Sequence, residues 1–297
     1  MNMRAQIRFL PDGKRLHLQD GPIDLVIEAF GPLTEIENAY RAACTRFETA
    51  LDELCSELSF LRQPCSPECT WPSGAVAWRM LAAVMPYAPE FFITPMAAVA
   101  GAVAEEILAA MTSAAELSRA YVNNGGDIAL HLVPGEKFVI GMVERPDRPS
   151  LFGTATVDYS DAVRGIATSG WRGRSFSLGI ADAVTVLADR AAAADAAATI
   201  IANAVDVPGH AEIVRVAAGE LAPESDLGDR LVTQAVGQLS ASEVNQALLA
   251  GCDTAERLQN IGLIRSAALN LRGETRVVGS IAELTPLVVP ERGLVHA

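Results

Sequence analysis

The sequence is poor in basic residues. Across 297 residues, 36 Asp and Glu outnumber 23 Lys and Arg, which gives a formal net charge of −13 at pH 7. The basic side chains are scattered and form no basic run. Because nucleic acids and anionic membranes are bound through clustered Lys and Arg, we expect neither nucleic acid nor a membrane surface as a partner.

Long apolar runs are also missing. The most apolar stretch, near residues 91–111, is interrupted by Thr94, Pro95, Glu105 and Glu106. It therefore falls short of the run of about 18 apolar residues that is typical of a membrane span. The amino-terminal residues lack the basic and then apolar layout of a secretory signal, so we expect a cytoplasmic protein.

Cysteines are few and odd in number, which predicts free thiols rather than a disulfide framework. Cys65 and Cys69 lie in a proline-flanked loop at a spacing near that of zinc sites. No second pair of Cys or His lies at a matching distance, so solvated or redox-silent thiols are favoured over zinc.

The hydrophobic content of 50% is enough for a large core. Alternating residues predict three strands between 7 and 30, around a turn at Pro11–Gly13. A stripe of apolar residues at helical spacing predicts a long amphipathic helix through positions 36, 40, 43, 47, 51, 54, 58 and 61. The proline-rich segment 64–90 is predicted to be loop-rich. Thr94–Pro95 is predicted to start a buried small-residue helix, with Thr94 as its cap.

The second half predicts a growing run of hairpin strands from 127 to about 160, a strand at 183–188 and an alanine-rich helix at 190–204. Two further strands enclose an acidic loop, and a helix at 241–260 with a Ser240–Glu243 capping box precedes a last strand. Strands and helices mix without regular alternation, so we predict an α+β fold with mixed or antiparallel sheets. We expect one domain, 1–297, with 206–210 as the candidate subdomain break.

The first candidate site is the turn Asn123, Asn124, Gly125, Gly126 and Asp127. Two glycines allow positive φ and a close approach to a ligand, while Asn and Asp offer polar side-chain atoms. A plain turn into a strand explains the same residues.

The second candidate is the segment 165–179, where glycines and hydroxyls lie among arginines and are suited to holding an anion. An ordinary surface loop explains it equally well. The residues that we expect to face a ligand are Thr168, Ser169, Gly170, Arg172, Arg174 and Ser177.

The third candidate is the pair Asp195 and Thr199. Four residues apart on a helix, they offer a carboxylate and a hydroxyl to a hard cation such as Mg²⁺. Such a pair on an alanine helix is more often solvated or bonded to its own backbone. Asp182, just before a strand, adds a carboxylate.

The segments VNNGGDIAL, GIATSG and ADAVTVLADRAAAADAAAT, in this order, resemble the ApbE-like superfamily, whose best-known members are FAD:protein FMN transferases. The resemblance implies a flavin-side turn at Gly125–Asp127, a second contact at Thr168–Gly170, and a magnesium-holding motif at Asp195 and Thr199. It makes Mg²⁺ and FAD or FMN the candidate cofactors. Within the superfamily, the chain is most similar to an uncharacterised branch.

One departure bears on mechanism. The transferases follow their Thr-Ser-Gly segment with a histidine motif, whereas residues 171–182 contain neither His nor Pro. Arg174 lies nearest by position, and a guanidinium can bind an anion but is a poor general base. We therefore assign catalysis to Asp127, Asp182 and Arg174, with Glu105 in reserve. Among the histidines only His131 lies near a candidate site, facing either a cleft or solvent.

We accordingly predict an enzyme that binds a small anionic or N-heterocyclic molecule, a class that includes nucleotide-like compounds, and uses aspartates for acid–base or metal-assisted chemistry. One alternative is FMN transfer to protein threonine. Another is a non-catalytic subunit that partners a reductase of N-heterocycles, as relatives of this branch imply. Homo-oligomerisation stays open, although core packing better explains the apolar helix at 96–111.

Overall fold

The structure is a computed structural model that describes residues 5–143 and 151–279. Its strands, in chain order, are β1 (Gln6–Phe9), β2 (Leu16–Asp20), β3 (Ile23–Phe30), β4 (Arg119–Asn124), β5 (Asp127–Leu132), β6 (Lys137–Val143), β7 (Leu151–Asp158), β8 (Gly165–Ser169), β9 (Ala183–Ala188), β10 (Ile213–Ala217), β11 (Leu231–Val236), β12 (Ser266–Leu271) and β13 (Glu274–Val278). The α-helices are α1 (Leu33–Ser56), α2 (Leu58–Leu61), α3 (Ala75–Val84), α4 (Val99–Ala114), α5 (Ala191–Ala204), α6 (Ala218–Leu221) and α7 (Ala241–Asn260).

A nine-stranded sheet in the order β1-β2-β3-β4-β5-β8-β9-β12-β13 runs through the molecule. Its neighbouring strands pair antiparallel, and short ribbons β6-β7 and β10-β11 lie outside it. The α+β prediction is confirmed. Strands β12 and β13, which follow the candidate break at 206–210, belong to the same sheet as β1.

Helices cover one face of the sheet. Buried and more exposed side chains alternate along its strands, so one face presents apolar side chains to the helices. Along β3 every second residue is buried, including Leu25 and Ile27, and these side chains pack in the main core with Phe47 of α1 and Ile107 of α4. Helices α4 and α5 cross each other over the sheet. A smaller apolar cluster on the other face joins Leu130 and other sheet residues to the β6-β7 ribbon.

The structure corrects several local predictions. Segment 64–90 is not all loop, since helix α3 forms at 75–84 with Met80 and Leu81 fully buried. Strands β6 and β7 do not extend the main sheet, and β8 pairs with β5 instead. Thr94 does not cap its helix, which begins with a 3-10 turn, because the Thr94 hydroxyl donates to the carboxylate of Asp226.

The helical stretch Pro95–Ala114 has the length and composition of a membrane span, with a mean hydropathy of 1.3. Apolar core helices of ordinary folds pass the same test. Here α4 packs against α1, α3, α5 and the sheet. The apolar composition of this stretch is therefore accounted for by the core.

Candidate active site

The Asn-Gly-Gly-Asp turn joins β4 to β5 at one end of the sheet. Gly125 and Gly126 have φ angles of 66° and 116°, which favour glycine. The Asn123 side chain accepts a hydrogen bond from the Gly126 N–H at 2.8 Å. The buried Asn124 side chain donates to the Ala100 carbonyl at 3.1 Å. Both asparagines therefore build the turn, and the glycines form its open surface.

Asp127, the first residue of β5, lies beside Asp195 of α5. The Asp127 carboxylate accepts the Thr168 N–H at 3.2 Å, and the Asp195 carboxylate accepts the Gly101 N–H at 3.0 Å. Both residues are half-buried. Within the described residues neither carboxylate forms an ion pair. Two acidic groups thus share a partly enclosed space with backbone N–H donors alone.

The electrostatics of this pair follow from its surroundings. Burial raises the pKa of Asp195 to about 7, and the N–H groups of Gly101 and Ala100 limit the rise. Burial, and then the nearby charge of Asp195, raise the pKa of Asp127 well above its usual range. Near neutral pH the pair therefore holds a proton that two exposed aspartates would have lost.

Asp182 lies at the same end of the sheet in a different setting. Its carboxylate accepts hydrogen bonds from Trp171 Nε1 at 3.2 Å, Arg172 Nε at 2.7 Å and Arg272 N at 2.7 Å. Asp182 is only 4% exposed. The carboxylate therefore fastens the loop after β8 to the turn after β12 and has little capacity left for a ligand.

The loop after β8 turns back toward the glycine turn. A Cβ atom on Gly170 would lie 2.5 Å from the Asp182 carbonyl, so this position requires glycine. Arg172 lies over the Trp171 ring, with its Cζ 4.2 Å from the ring centroid, while it pairs with Asp182. The exposed Arg174 lies with Nη1 3.6 Å from where a Gly125 Cβ would be. The two motifs therefore meet at Arg174.

The remaining predicted residues are placed as follows. Thr168 faces Asp127 through its N–H, whereas its hydroxyl pairs with Thr185 at 2.9 Å on the other side of the strand. Ser169 is half-buried at the end of β8. Ser177 is buried and donates to the Asn203 side chain at 3.2 Å, away from an open surface. Thr199 is half-buried one turn beyond Asp195.

Within the described residues no histidine bonds Asp127 or Asp195, although the strand register places His17 of β2 in the same row of the sheet as Asn123 and Ile128. His131 lies four residues along β5 from Asp127, about 13 Å at the usual strand rise, and bonds the Leu117 carbonyl at 3.2 Å. His17 pairs with Asp24, and His210 with Glu243. His296 lies outside the described residues.

Within the described residues, neither the cysteines nor any group of metal-binding side chains forms a second candidate site. The five cysteines are free thiols, and burial raises the pKa of Cys65 to about 11. Across residues 5–143 and 151–279, no three His, Cys, Asp or Glu side chains are grouped as a metal site. Any cation at Asp127 and Asp195 would therefore rely on two carboxylates, backbone or hydroxyl oxygens, and water.

Two grooves lie away from the acidic pair. One, of about 790 Å³, runs along α1 beside Arg41 and Arg46, and the other, of about 840 Å³, includes Glu35 and His131. The acidic pair does not line either groove. We place the candidate site at the acidic pair because unpaired, partly buried carboxylates mark a reactive site more specifically than the size of a groove.

The first turn of α4 belongs to the site, although no motif of the sequence assigns it there. Ala100 and Gly101 hold Asn124 and Asp195 through backbone atoms, so their residue types carry no polar signal. The small residues on one face of this helix, Ala97, Ala100, Gly101 and Ala104, predict a close backbone approach, and the contact of Gly101 with Ala191 confirms it. Trp171 and the Arg272 N–H, which bind Asp182, carried no recognisable pattern.

Comparisons with known proteins place the chain in a family. The family model described as AbpE bacteria matches residues 7–277. A UPF0280 protein of Methanopyrus kandleri is 43% identical over 116 residues, 39% of this chain and 45% of the relative. A UPF0280 protein of Methanococcoides burtonii is 38% identical over 144 residues, 48% of this chain and 57% of the relative. The matched part thus spans about half the length of these curated relatives.

Solved structures are similar at low identity. A mutant of the flavin transferase ApbE from Vibrio cholerae has 13% identity and a TM-score of 0.48, covering 90% of this chain and 97% of that one. The apo flavinyl transferase ApbE of Pseudomonas stutzeri has 11% identity and a TM-score of 0.45, covering 92% of this chain and 93% of that one. Because the family model spans nearly the whole described chain, the protein belongs to the AbpE bacteria family and is an ApbE-like protein.

Proposed function

We propose that the protein is an enzyme that binds a small anionic or N-heterocyclic molecule against the Gly125–Gly126 turn and acts on it with Asp127 and Asp195. The observation that carries the proposal is this pair of partly buried carboxylates without an ion-pair partner in the described chain. Burying two such charges is costly, so their placement calls for a proton, a cation or a ligand.

The pair supports two kinds of chemistry. With one carboxyl protonated and the other ionised, it can donate a proton and accept another near neutral pH. Alternatively, the pair fits Mg²⁺, which is commonly held by one or two carboxylates with several waters retained. Asp127 and Asp195 would hold that ion, with Thr199 the nearest hydroxyl on the same helix face. When bound, Mg²⁺ would supply positive charge against an anionic group of the substrate.

The class of ligand follows from the surface beside the acidic pair, which is formed by the glycine turn and Arg174. Nothing lies within 4 Å of a Cβ position on Gly126, and the Arg174 guanidinium is close to Gly125. A phosphate or carboxylate placed there would meet a permanent cation, while a planar ring could lie on the glycine backbone. Asp182 and Arg172 support this surface by holding the loop that carries Arg174.

Calorimetric titration with Mg²⁺ tests the acidic pair. We expect Asp127→Asn and Asp195→Asn each to weaken binding by at least about tenfold, since each removes one of two charged ligands. The matched control is Asp189→Asn, an exposed aspartate just before α5 with the same change of charge. We call the surface formed by Gly125, Gly126 and Arg174 the anion wall. Titration with FMN and FAD, with and without Mg²⁺, then tests whether this surface binds a ligand.

Two results would contradict the proposal. One is wild-type protein that binds neither Mg²⁺ nor an anionic ligand at millimolar concentration. The other is binding that all three Asp→Asn variants retain equally, since this would place the ligand elsewhere. Turnover that disappears in Asp127→Asn while ligand binding persists would support catalysis at the pair.

FMN transfer to protein threonine is a second candidate, favoured by membership of the ApbE-like superfamily. The lack of histidine in residues 171–182, which follow the Thr168–Gly170 segment, weighs against the transferase mechanism. A non-catalytic subunit that partners a reductase is a third candidate. Flavin binding without turnover, together with co-purification of a reductase, would favour the third over both enzymes.

A further inference from the structure

Helices α4 and α5 cross at backbone contact beside the acidic pair. A Cβ atom on Gly101 would lie 2.4 Å from the Ala191 carbonyl oxygen and 2.7 Å from the Ala192 nitrogen. Contact this close fixes the first turns of the two helices against each other. The polar groups of both helix starts are consequently within reach of side chains from the other helix.

Each helix start is capped by a carboxylate of the other helix. Asp195 of α5 accepts the Gly101 N–H at 3.0 Å, and Glu105 of α4 accepts the Ala192 N–H at 2.7 Å. Neither helix has a side-chain cap of its own at its N-cap residue. Because the first N–H groups of a helix lack intrahelical acceptors, both carboxylates satisfy donors that would otherwise be unpaired.

The two caps differ in charge balance. Glu105, with a side chain 10% exposed, also pairs with Arg79 at 3.4 Å, whereas Asp195 faces Asp127. The Glu105 carboxylate is therefore occupied by its bonds to Ala192 and Arg79. The Asp195 carboxylate bonds the Gly101 N–H and remains available to a ligand.

We propose that Glu105 is a positioning residue: by holding the start of α5 against α4, it sets the place of the Asp195 carboxylate beside Asp127. The proposal rests on the function inferred for that pair, but its geometry stands on the reciprocal caps. Glu105 bonds the Ala192 N–H and Arg79, and it acts on the pair through the position of α5.

The test uses the full chain with Glu105→Asp, which keeps the charge but withdraws the carboxylate by one methylene. Glu105→Ala removes the acceptor altogether, and alanine keeps a high helix propensity. It serves as the second variant if Glu105→Asp does not fold. Glu106→Asp is the matched control, because Glu106 is adjacent and also pairs with Arg79, but its other bond goes to Arg46. Glu105→Gln keeps an acceptor at the same length.

The first measurement is amide hydrogen exchange in Mg²⁺-free protein. We expect Glu105→Asp to accelerate exchange at Ala192 and at Gly101 by about tenfold or more, as the loss of a hydrogen bond to a charged group implies. We expect Glu106→Asp to leave both exchange rates near those of wild type. We expect Glu105→Gln to keep most of the wild-type protection of these two amides from exchange. The second measurement is Mg²⁺ affinity by calorimetry, expected to fall about tenfold in Glu105→Asp alone.

Faster exchange at Ala192 with Gly101 unchanged would overturn the proposal, because Glu105 would then cap α5 without placing Asp195. Equal acceleration at all amides would also overturn it, since it reports a general loss of stability. If wild type binds no Mg²⁺ but the Gly101 amide responds as expected, the cation role fails and the positioning role stands.

Discussion

Two carboxylate centres lie at the same end of the sheet, and they differ in what surrounds them. Asp182 receives hydrogen bonds from an indole, a guanidinium and a backbone N–H. Asp127 and Asp195 receive backbone N–H groups and face each other. The sequence pattern offers all three aspartates alike, but the partners supplied by the fold give Asp182 a structural role and leave the pair with unmet charge.

The comparison shows why an acidic residue near a glycine-rich motif is a weak functional signal on its own. A carboxylate with three donors is already stabilised as an anion and gains little from a ligand. Two carboxylates that share a partly buried space gain from any added proton or cation. Changing the surroundings of either centre should therefore remove or enlarge this difference.

The largest effect is expected from Asp182→Ala. The variant leaves the Trp171 indole, the Arg172 guanidinium and the Arg272 N–H without their acceptor at a buried position. Breaking a buried ion pair in this way typically costs about 3–5 kcal/mol. Urea unfolding should show this loss, while Asp189→Ala, at an exposed position, should change the free energy of unfolding by less than about 0.5 kcal/mol. A loss below about 1 kcal/mol would show that Asp182 is not the structural centre.

Gly101→Ala tests the helix crossing that holds the acidic pair. In an open helix position, replacing glycine by alanine stabilises by up to about 1 kcal/mol. Here the added Cβ meets the Ala191 carbonyl at 2.4 Å, so we expect a loss of about 1–3 kcal/mol instead. Thermal unfolding decides between the two signs. A stabilised variant would mean that the backbones separate without cost.

Much of the fold could be predicted from local pattern. The alternation in β3 and the apolar stripe of α1 each have one solution that buries their apolar residues. Helix α3 was missed because five prolines surround an otherwise ordinary apolar helix of ten residues. The separate β6-β7 ribbon was missed because strand alternation does not identify the partner strand.

The candidate site was predictable in its parts and not in its pairing. The turn at Gly125–Gly126, Asp127 and Asp195 are all visible as motifs. That Asp195 lies beside Asp127 and accepts the Gly101 N–H depends on how α4 and α5 cross, over separations of 68 and 94 residues (195 − 127 and 195 − 101). Ser177 could not be separated from the ligand-facing residues because its partner, Asn203, lies on another element.

The pH dependence of stability distinguishes Asp195 from an exposed aspartate. Burial raises the pKa of Asp195 from 3.8 to about 7, so between about pH 4 and 7 the folded protein binds more protons than the unfolded chain. Its contribution to stability is therefore present at low pH and is lost as pH rises, by up to about 1.4 kcal/mol per pH unit. Asp195→Asn should gain stability relative to wild type between pH 5 and 8 in urea unfolding with EDTA present. An unchanged difference across that range, as expected for Asp189→Asn, would contradict the raised pKa.

The smallest effect on stability is expected at Arg174. Arg174→Gln removes a guanidinium that is exposed and makes one long hydrogen bond, 3.4 Å to the Pro22 carbonyl, so the free energy of unfolding should change by less than about 0.5 kcal/mol. Arg172→Gln, two residues earlier, should lower the free energy of unfolding more, because it loses the pair with Asp182 at 2.7 Å.

For ligand binding the order of the two arginines reverses. Arg174→Gln should weaken FMN binding by about tenfold through loss of a charge-assisted hydrogen bond. Calorimetric titration of FMN into both variants measures this, and equal affinities for wild type and Arg174→Gln would remove Arg174 from the anion wall.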